Sequence, residues 1–322
     1  MSSQFKWSNI KEVSSTNGYE VINNFSKTRG NFRFLVGEEL TTDTYDQNDL
    51  GFQRRNNKFN HYAWISYQTF EPSGILNKYR FKGQVNYNRL YNPNVYEQLV
   101  TSYEAFVLFK TFDAAGYNGN SNPIESYNYF EPRVWGKKFK VPTTNYNEFW
   151  ISSDYRRIFA LDARYSFWSW GAYGKRSHSL RIGPRIRVSD HLFITLGYRP
   201  KWEKNNMGWV NTINEADSIV FGSRNIEETE LSFSANYVFT KDISLEMNLR
   251  HFWTEVKYNQ FYLLQDDGSL VDYPQYQENH DINFNSLNVD LKYSWRVAPY
   301  NQLVVLFRNN FINSDQRINS WY

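Results

Sequence analysis

The chain of 322 residues carries 36 basic and 33 acidic side chains, for a formal net charge of +3, and it contains no cysteine. This near balance of charge gives no indication of nucleic-acid binding, and the lack of cysteine excludes disulfide bonds, zinc–thiolate sites and cysteine nucleophiles. Aromatic residues make up 19% of the chain although its mean hydropathy is −0.69, which is unusual for a soluble globular domain. No apolar run is long enough for a transmembrane helix, and the N-terminal MSSQFKWSNI lacks the pattern of a signal peptide.

Alternating apolar and polar residues predict β-strands along nearly the whole chain, because successive side chains of a strand point to opposite faces. Within 229–239, for example, Leu231, Phe233 and Tyr237 alternate with serine and asparagine. In chain order, strands are predicted near residues 4–12, 18–26, 31–40, 58–70, 78–88, 98–112, 124–132, 147–153, 157–169, 178–188, 192–202, 229–239, 243–257, 282–297 and 302–312. The segment 113–153 is rich in Gly, Asn and Pro and is predicted to contain a long loop or a plug.

The predicted connections alternate between short and long. Only SDH, TKD and APYNQ separate three pairs of strands, whereas the segments 203–228 and 258–281 are predicted to be long loops. Long strands joined in this way are typical of outer-membrane barrels, whose strands need ~9–11 residues to cross the bilayer. We therefore predict that residues 1–322 form a single all-β domain, a transmembrane antiparallel up-and-down β-barrel of about 16 strands. Because the predicted strand count is odd, we expect the closing C-terminal strand to be missing and the chain to be a fragment of a longer protein.

The two faces of these strands differ in chemistry. The apolar face is predicted to contact lipid, flanked by aromatic girdles that include Trp168, Trp170, Tyr198, Trp202, Tyr293 and Trp295. An alternative is a sugar-stacking surface around SFWSWGAYG. Charges on the other face are predicted to line the lumen, because Arg or Lys facing lipid costs ~2–4 kcal/mol at the midplane. These residues are Arg80, Lys82, Glu104, Asp162, Arg164, Arg181, Arg185, Arg187, Glu246, Arg250, Asp290, Lys292 and Arg308.

This charged face has two interpretations. It forms either a salt-bridged, hydrated interior, with or without a plug, or a pore that prefers anions or polar solutes. Motifs for chemistry are absent, since the chain has no H-E-x-x-H, no G-x-S-x-G, no P-loop and no dinucleotide fingerprint. We therefore predict no catalytic residue, no metal ligand and no cofactor. A hydrolase built on Ser and His in the barrel wall is kept as an alternative.

The acidic stretch TTDTYDQNDLGF at 41–52 offers Asp43, Tyr45, Asp46, Asn48 and Asp49 as ligand or loop residues. It fails as a calcium EF-hand loop, because the fifth and twelfth positions are Leu50 and Asn57. Three interpretations stay open: a loop built on turn-forming Asp and Asn, a cation or ligand site, or a loop folded inward against a basic lumen.

The stretch WISSDYRR, with Trp150, Asp154, Tyr155 and Arg156, is predicted to form a tight turn before the next strand. The alternative is a docking point for a plug or partner, in which Arg156 and Arg157 pair with carboxylates.

The pair of stretches TTDTYDQNDLGF at 41–52 and NEFWISSDYRRIFALDARY at 147–165 resembles an uncharacterised family of Gram-negative outer-membrane β-barrels. In that family the barrel typically follows an N-terminal carbohydrate-binding module of the family-9 type. The resemblance covers nearly the whole chain. It implies an outer-membrane location and further sequence beyond this domain, and it assigns no catalytic residues.

These observations predict an outer-membrane channel or membrane anchor that serves a glycan- or nutrient-handling system of a Gram-negative bacterium. The alternatives are a non-conducting platform or complex subunit with a plugged lumen, an outer-membrane hydrolase, and a soluble β-sandwich or propeller. The expected partners are membrane lipid and lipopolysaccharide, a glycan or oligomeric solute, and other outer-membrane proteins, without nucleic acid. An enzymatic role is the less favoured interpretation.

Overall fold

The computed structural model describes residues 1–11, 15–48, 52–53, 55–213 and 218–316, most of which lie in β-strands. No helix in this described part is long and apolar enough to cross a membrane. The strands are β1 (Ser2–Lys11), β2 (Ser15–Lys27), β3 (Phe32–Thr41), β4 (Lys58–Gln68), β5 (Leu76–Arg89), β6 (Tyr96–Phe109), β7 (Ala114–Asn122), β8 (Ser126–Asn128), β9 (Phe139–Val141), β10 (Thr144–Ser152), β11 (Phe159–Trp170), β12 (Arg176–Arg187), β13 (Leu192–Ile213), β14 (Ser218–Thr240), β15 (Ile243–Leu264), β16 (Leu270–Asp272), β17 (Ile282–Ala298) and β18 (Asn301–Asp315).

These strands form one large antiparallel sheet in which neighbours in the sequence are neighbours in space. The hydrogen-bonded path runs from β1 to β7, then through β10 to β15, and ends with β17 and β18, while β16 adds to β15. The predicted all-β, up-and-down arrangement is therefore confirmed. The sheet is not closed into a barrel, because the path over the described residues starts at β1 and ends at β18. Each of these two edge strands has one hydrogen-bonded neighbour.

The strand predicted near 124–132 is wrongly placed. The sheet strand is β7, and the short β8 pairs instead with β9 in a separate two-stranded sheet. The sequence of β7, AAGYNGNSN, has no β-branched residue and only one aromatic residue, Tyr117, although both types favour strands. Its place in the sheet comes from hydrogen bonds to neighbouring strands rather than from local preference. The segment 113–153 thus contains β7 and β10, with the β8–β9 pair between them, and a plug in this segment stays a prediction.

The long loop predicted at 203–228 is also wrong. Strands β13 and β14 continue into this segment and are 22 and 23 residues long. Register shifts between Glu203 and Asn206 and between Trp209 and Asn211 accompany the extension. Such bulges disturb the alternation of apolar and polar residues, which is why the sequence pattern ends before the strand does. The loop predicted at 258–281 is shortened in the same way, because β15 reaches Leu264 and β16 pairs with it.

The chain divides into two compact units. The first comprises Met1–Val107, Tyr117–Tyr146 and Gln265–Ser269, and the second comprises Leu108–Gly116, Asn147–Leu264 and Leu270–Tyr322. Within each unit, strand register sorts side chains onto two faces. In the first unit, Lys6 lies opposite Glu20 on one face, whereas Phe5 lies opposite Val21 on the other.

The apolar face of each unit is largely exposed. Phe5 and Ile65 of the first unit are 66% and 58% exposed, and Phe307 of the second is 57% exposed. Apart from prolines, the described part of the chain buries only nine apolar side chains: Tyr45, Leu90, Phe139, Ala160, Met207, Ile219, Val220, Phe221 and Tyr276. Neither unit therefore packs its apolar face into a core.

Candidate functional site

The polar face of the second unit carries ion pairs that link neighbouring strands. Five arginine or lysine side chains on this face each contact a carboxylate. The pairs are Arg164–Glu148 at 3.4 Å, Arg185–Asp162 at 3.2 Å, Arg250–Glu230 at 2.5 Å, Lys292–Glu246 at 3.8 Å and Arg308–Asp290 at 2.8 Å. The charged residues that alternation assigns to one face thus lie close together and largely neutralise one another.

A hollow of about 470 Å³ opens on this face where β10 to β14 run side by side. Its floor contains Gly183 and Gly197. The register of β12 and β13 places these two glycines opposite each other, next to the Ile182–Tyr198 pair. Asp162 lies opposite Gly183, and Ser232 lies opposite Gly197. Because glycine has no side chain, the floor is lower here than on the flanking parts of the sheet.

Three arginines occupy facing positions along one side of this hollow, and we call Arg164, Arg181 and Arg199 the arginine rung. Arg164 lies opposite Arg181, and the same β12–β13 register places Arg181 opposite Arg199. Glu230 follows opposite Arg199. Among the residues that the structure describes, neither Arg181 nor Arg199 forms an ion pair, and both are exposed.

The opposite side of the hollow is a hydrogen-bonded group centred on Asp162. The hydroxyls of Ser152 and Tyr155 both donate to Asp162 Oδ1 at 2.6 Å. Arg185 Nε donates to Asp162 Oδ2 at 3.2 Å, and the Arg185 guanidinium lies 4.2 Å from the centre of the Tyr155 ring. These contacts hold Arg185 in place and satisfy the carboxylate. Trp150, another predicted site residue, also lines the hollow.

The SSDYRR segment forms a turn between β10 and β11. Arg156 Nη2 contacts Asp154 Oδ2 at 2.7 Å, and this guanidinium lowers the pKa of Asp154 from its ordinary value of 3.8 to about 2. Arg157 contacts Asp113 at 2.9 Å, and the backbone N–H of Asp154 donates to Asp113 Oδ1 at 3.2 Å. Both arginines are thus paired within the second unit, and the turn stands next to the hollow through Tyr155.

A family model for "Domain of unknown function (DUF5916)" matches residues 1–322. The chain belongs to this DUF5916 family. No curated protein and no solved structure matches it. Membership in DUF5916 supports the coarse part of the resemblance noted in the sequence, an uncharacterised domain that covers the whole chain.

The polar-face charges predicted in the first unit, Arg80, Lys82 and Glu104, also have partners, as do two further lysines of that face. Arg80 is paired with Glu104, and Lys82 Nζ lies 5.3 Å from the centre of the Trp64 ring. Lys58 is paired with Glu39, and Lys6 contacts Glu20 at 2.5 Å. This face therefore has a carboxylate or an aromatic ring beside each of these cations.

The described part of the acidic stretch of the DUF5916 chain, residues 41–48, forms a hydrogen-bonded loop. Asn92 Nδ2 donates to Asp43 Oδ2 at 2.7 Å, and the backbone N–H of Asn48 donates to Asp46 Oδ1 at 2.8 Å. Tyr45 is buried, which raises the pKa of its hydroxyl. A Cβ on Gly18 would lie 2.2 Å from Tyr45 Cα, so the loop crosses directly over β2 at that glycine.

The chemistry of this loop is that of turn-forming side chains. No described cluster of three His, Asp or Glu residues could hold a metal ion. Asp49 lies outside the described residues. Whether the acidic residues act on a pore stays a prediction.

Sequence reasoning did not select Arg199, Gly183, Gly197 or the acidic partners Glu148 and Glu230. A signal for Arg199 exists, because alternation along 192–202 places Thr195, Gly197 and Arg199 on one face. That these residues face Arg181 and Gly183 depends on strand register, which the sequence pattern alone does not determine.

Proposed function

We propose that this chain forms the wall of an outer-membrane β-barrel that serves as a channel or membrane anchor for a glycan- or nutrient-handling system. The observation that carries this proposal is the exposed apolar face of both units. Side chains such as Phe25, Val36 and Ile65 in the first unit, and Leu231 and Phe311 in the second, lie exposed on strands. Monomeric soluble proteins rarely expose contiguous apolar patches larger than a few hundred Å². A lipid bilayer removes this cost, because it contacts apolar side chains without needing a protein core.

The opposite face supports the same orientation. Its ion pairs would be costly in contact with lipid, since Arg or Lys on a lipid face costs about 2–4 kcal/mol at the bilayer midplane. Facing water, they need no such compensation. Strand length agrees with this orientation, because β5 and β6, with 14 residues each, exceed the ~9–11 residues that a tilted strand needs to cross a bilayer.

Exposed aromatic residues on the apolar face also support the membrane proposal, because they suit the two membrane–water interfaces. Tyr198 and Trp202 on β13, and Trp295 on β17, are exposed on the same face as the apolar residues. Tryptophan and tyrosine are enriched where a membrane meets water, because their rings are apolar and their N–H or O–H groups remain hydrated.

A second candidate is a non-conducting platform with a filled lumen. The β8–β9 pair of the first unit favours it, because this small sheet stands apart from the strand path between β7 and β10. Conductance separates the two candidates. A channel passes ions in planar bilayers, whereas a platform inserts without conducting until residues 123–143 are deleted.

Two neighbouring substitutions test the membrane orientation directly. Val85 lies on the apolar face of β5 and is exposed, whereas Gln84 lies on the opposite face. Val85→Arg should destabilise the membrane-inserted protein by about 2–4 kcal/mol, whereas Gln84→Arg should change it by less than about 1 kcal/mol. The fraction that resists unfolding in unboiled detergent gels after insertion into vesicles reports both values. Equal effects of the two variants, with a wild-type chain that is soluble without detergent, would overturn the proposal.

A further inference from the structure

We infer that the hollow between β12 and β13 binds a dissolved phosphate ester, with its dianionic phosphate group held by Arg181 and Arg199. The inference deepens the proposed function, since it assigns a ligand class to the water-facing side of the wall. A role of this site in transport or recognition would depend on the proposed function. The binding site itself is a property of the polar face alone.

The charges around the hollow do not balance. Four arginines line it, at positions 164, 181, 185 and 199, against the two carboxylates of Asp162 and Glu230. Asp162 is already paired with Arg185, and Glu230 is paired with Arg250. Arg164 has Glu148 as its partner. Arg181 and Arg199 therefore form no ion pair in the described part of the chain, although Glu230, which pairs with Arg250, faces Arg199 across the strands.

The position of these charges makes the imbalance costly. Facing residues on antiparallel strands have Cβ atoms about 4.5–5.5 Å apart, and like charges at such positions are destabilising. The arginine rung places three like charges in succession on β11, β12 and β13. An anion that bridges Arg181 and Arg199 would turn this repulsion into two attractive contacts. A structure built only for stability would gain from an acidic residue at either position.

The glycine floor gives the anion space beside the guanidinium groups. Gly183 and Gly197 face each other one step along the strands from the Ile182–Tyr198 pair, on the same face as the rung. At Gly197, a Cβ would approach Ser232 Oγ to 2.2 Å, so the Ser232 hydroxyl would have to rotate to admit a side chain there. At Gly183, a Cβ would meet its nearest atom at 3.7 Å, which is ordinary contact. A side chain can therefore be introduced at Gly183 without a clash at its Cβ.

A neighbouring hollow on the same face provides a contrast. It measures about 540 Å³ and contains Arg250 and Arg308. Both arginines are occupied by carboxylates, Glu230 and Asp290 respectively. A hollow on this face is thus not sufficient for an anion site, and unpaired guanidinium groups distinguish the first hollow from the second.

The ligand class follows from the donors. A guanidinium presents N–H groups in a planar fork that matches two oxygens of a phosphate or carboxylate. Two unpaired guanidiniums match a group with two negative charges, which a phosphate monoester carries near neutral pH and a single carboxylate does not. A volume of about 470 Å³ exceeds that of one phosphate, and leaves room for the organic part of an ester.

Binding is tested with the full chain in an uncharged detergent, using glycerol phosphate as the probe and calorimetric titration as the readout. We expect saturable binding of glycerol phosphate and inorganic phosphate, and binding of acetate at least about tenfold weaker because it has one charge. Equal weak binding of all three anions, removed by a modest rise in salt, would overturn the site.

Matched variants locate the ligand. Arg181→Gln with Arg199→Gln should weaken glycerol phosphate binding by about tenfold or more, since hydrogen bonds to charged groups are lost. Gly183→Leu should have a similar effect while keeping every charge, because it fills the space above the floor. Arg187→Gln is the control, since Arg187 is an exposed arginine on the same strand and face, and it has no ion pair within the described residues. A loss as large in Arg187→Gln as in the double variant would reduce the effect to net charge and contradict the inference.

The same experiments distinguish failure of the phosphate site from failure of the membrane function. They also distinguish a dissolved ester from a lipid headgroup as the ligand. If the chain inserts into vesicles but does not bind glycerol phosphate, the inference fails and the membrane function stands. If the chain is soluble without detergent and binds the ester through Arg181 and Arg199, the membrane function fails and the site stands. Anionic phospholipid in mixed micelles should not displace the ester. Displacement by lipid, together with no binding of the soluble ester alone, would identify a headgroup site and overturn the inference.

Discussion

The same alternation of residues builds the polar faces of the two units, yet cations on these faces differ in whether they form ion pairs. In the first unit, Arg80 and Lys58 each have a carboxylate on a neighbouring strand. In the second unit, Arg181 and Arg199 of the arginine rung form no ion pair among the described residues, and they lie beside the facing glycines Gly183 and Gly197. A charged strand face therefore does not by itself indicate a binding site. The cations that remain without an ion pair, once each carboxylate has been matched to a cation, are the ones that indicate an anion site.

The largest expected effect on the free energy of unfolding comes from an ion pair that is buried. Lys175 Nζ contacts Glu203 Oε1 at 3.1 Å, and both side chains are nearly fully buried. Lys175 also lies 4.0 Å and 4.4 Å from the ring centres of Trp168 and Trp170. Lys175→Met removes the buried cation beside Glu203 and leaves Lys201 as the remaining ion-pair partner of the buried carboxylate. It should lower the free energy of unfolding, measured in urea titrations, by about 3–5 kcal/mol.

The matched control for this buried pair is Lys201→Met. Lys201 Nζ lies 3.1 Å from Glu203 Oε2 but is more exposed than Lys175. Its loss should cost less than the loss of Lys175, because water solvates part of the interaction. Equal costs would show that burial of Lys175 contributes nothing. A double variant, Lys175→Met with Glu203→Gln, should recover part of the lost stability, since no buried carboxylate remains.

Removing a paired cation from the first unit tests the balanced side of the comparison. Arg80→Gln deprives Glu104 of its partner. Because both side chains are partly exposed, we expect a loss of only about 0.2–1 kcal/mol in the free energy of unfolding. Adding Glu104→Gln should cause little further loss, which a double-mutant cycle measures. A gain in stability for Arg80→Gln would contradict the assignment of Arg80 and Glu104 as a stabilising pair.

Removing an unpaired cation from the second unit should raise the free energy of unfolding rather than lower it. Arg181→Gln relieves repulsion from Arg164 and Arg199, which face it on the two adjacent strands. In the absence of an anion, we expect it to raise the free energy of unfolding by about 0.2–1 kcal/mol. In excess phosphate the wild-type chain should become the more stable one. Destabilisation by Arg181→Gln in anion-free buffer would remove the distinction between the two faces.

The smallest expected effect concerns the Asp154 turn. The lowered pKa of Asp154, about 2 against an ordinary 3.8, means that its carboxylate stabilises the fold above pH 3.8 and loses this contribution as the pH falls towards 2. Unfolding midpoints of the wild type and Asp154→Asn should therefore differ at pH 5 and converge near pH 2. A difference that stays constant over this range would show that the ion pair with Arg156 contributes no stability.

Much of the fold could be predicted from alternation, because a period of two directly reports a strand with one apolar face. The strands predicted at 31–40, 58–70 and 78–88 correspond closely to β3, β4 and β5. Alternation failed where it was weak, as in the small-residue β7, or disturbed by bulges, as in β13. In both places, hydrogen bonds to neighbouring strands determine the structure, and local sequence carries little of that information.

The candidate site was predictable only in part. The sequence placed Asp162, Arg164, Arg181 and Arg185 on one face, and it also selected Trp150 and Tyr155. It did not show which of these charges would be neutralised, because that depends on the cross-strand partners that register brings together. Gly183 and Gly197 carry no chemical signal of their own, and their importance comes from facing each other.

The most direct test of the two-faced sheet is a single-cysteine scan through β5, residues 80 to 88, and β14, residues 231 to 238. The chain has no cysteine, so each spin label reports one position without background. In vesicles, labels at positions 85 and 231 and at alternate residues from them should collide with lipid-soluble oxygen. Labels at the residues between, such as 84 and 234, should collide with a water-soluble nickel complex. An alternating pattern in both strands is the predicted result, whereas uniform access of the nickel complex to both sets would contradict the membrane orientation.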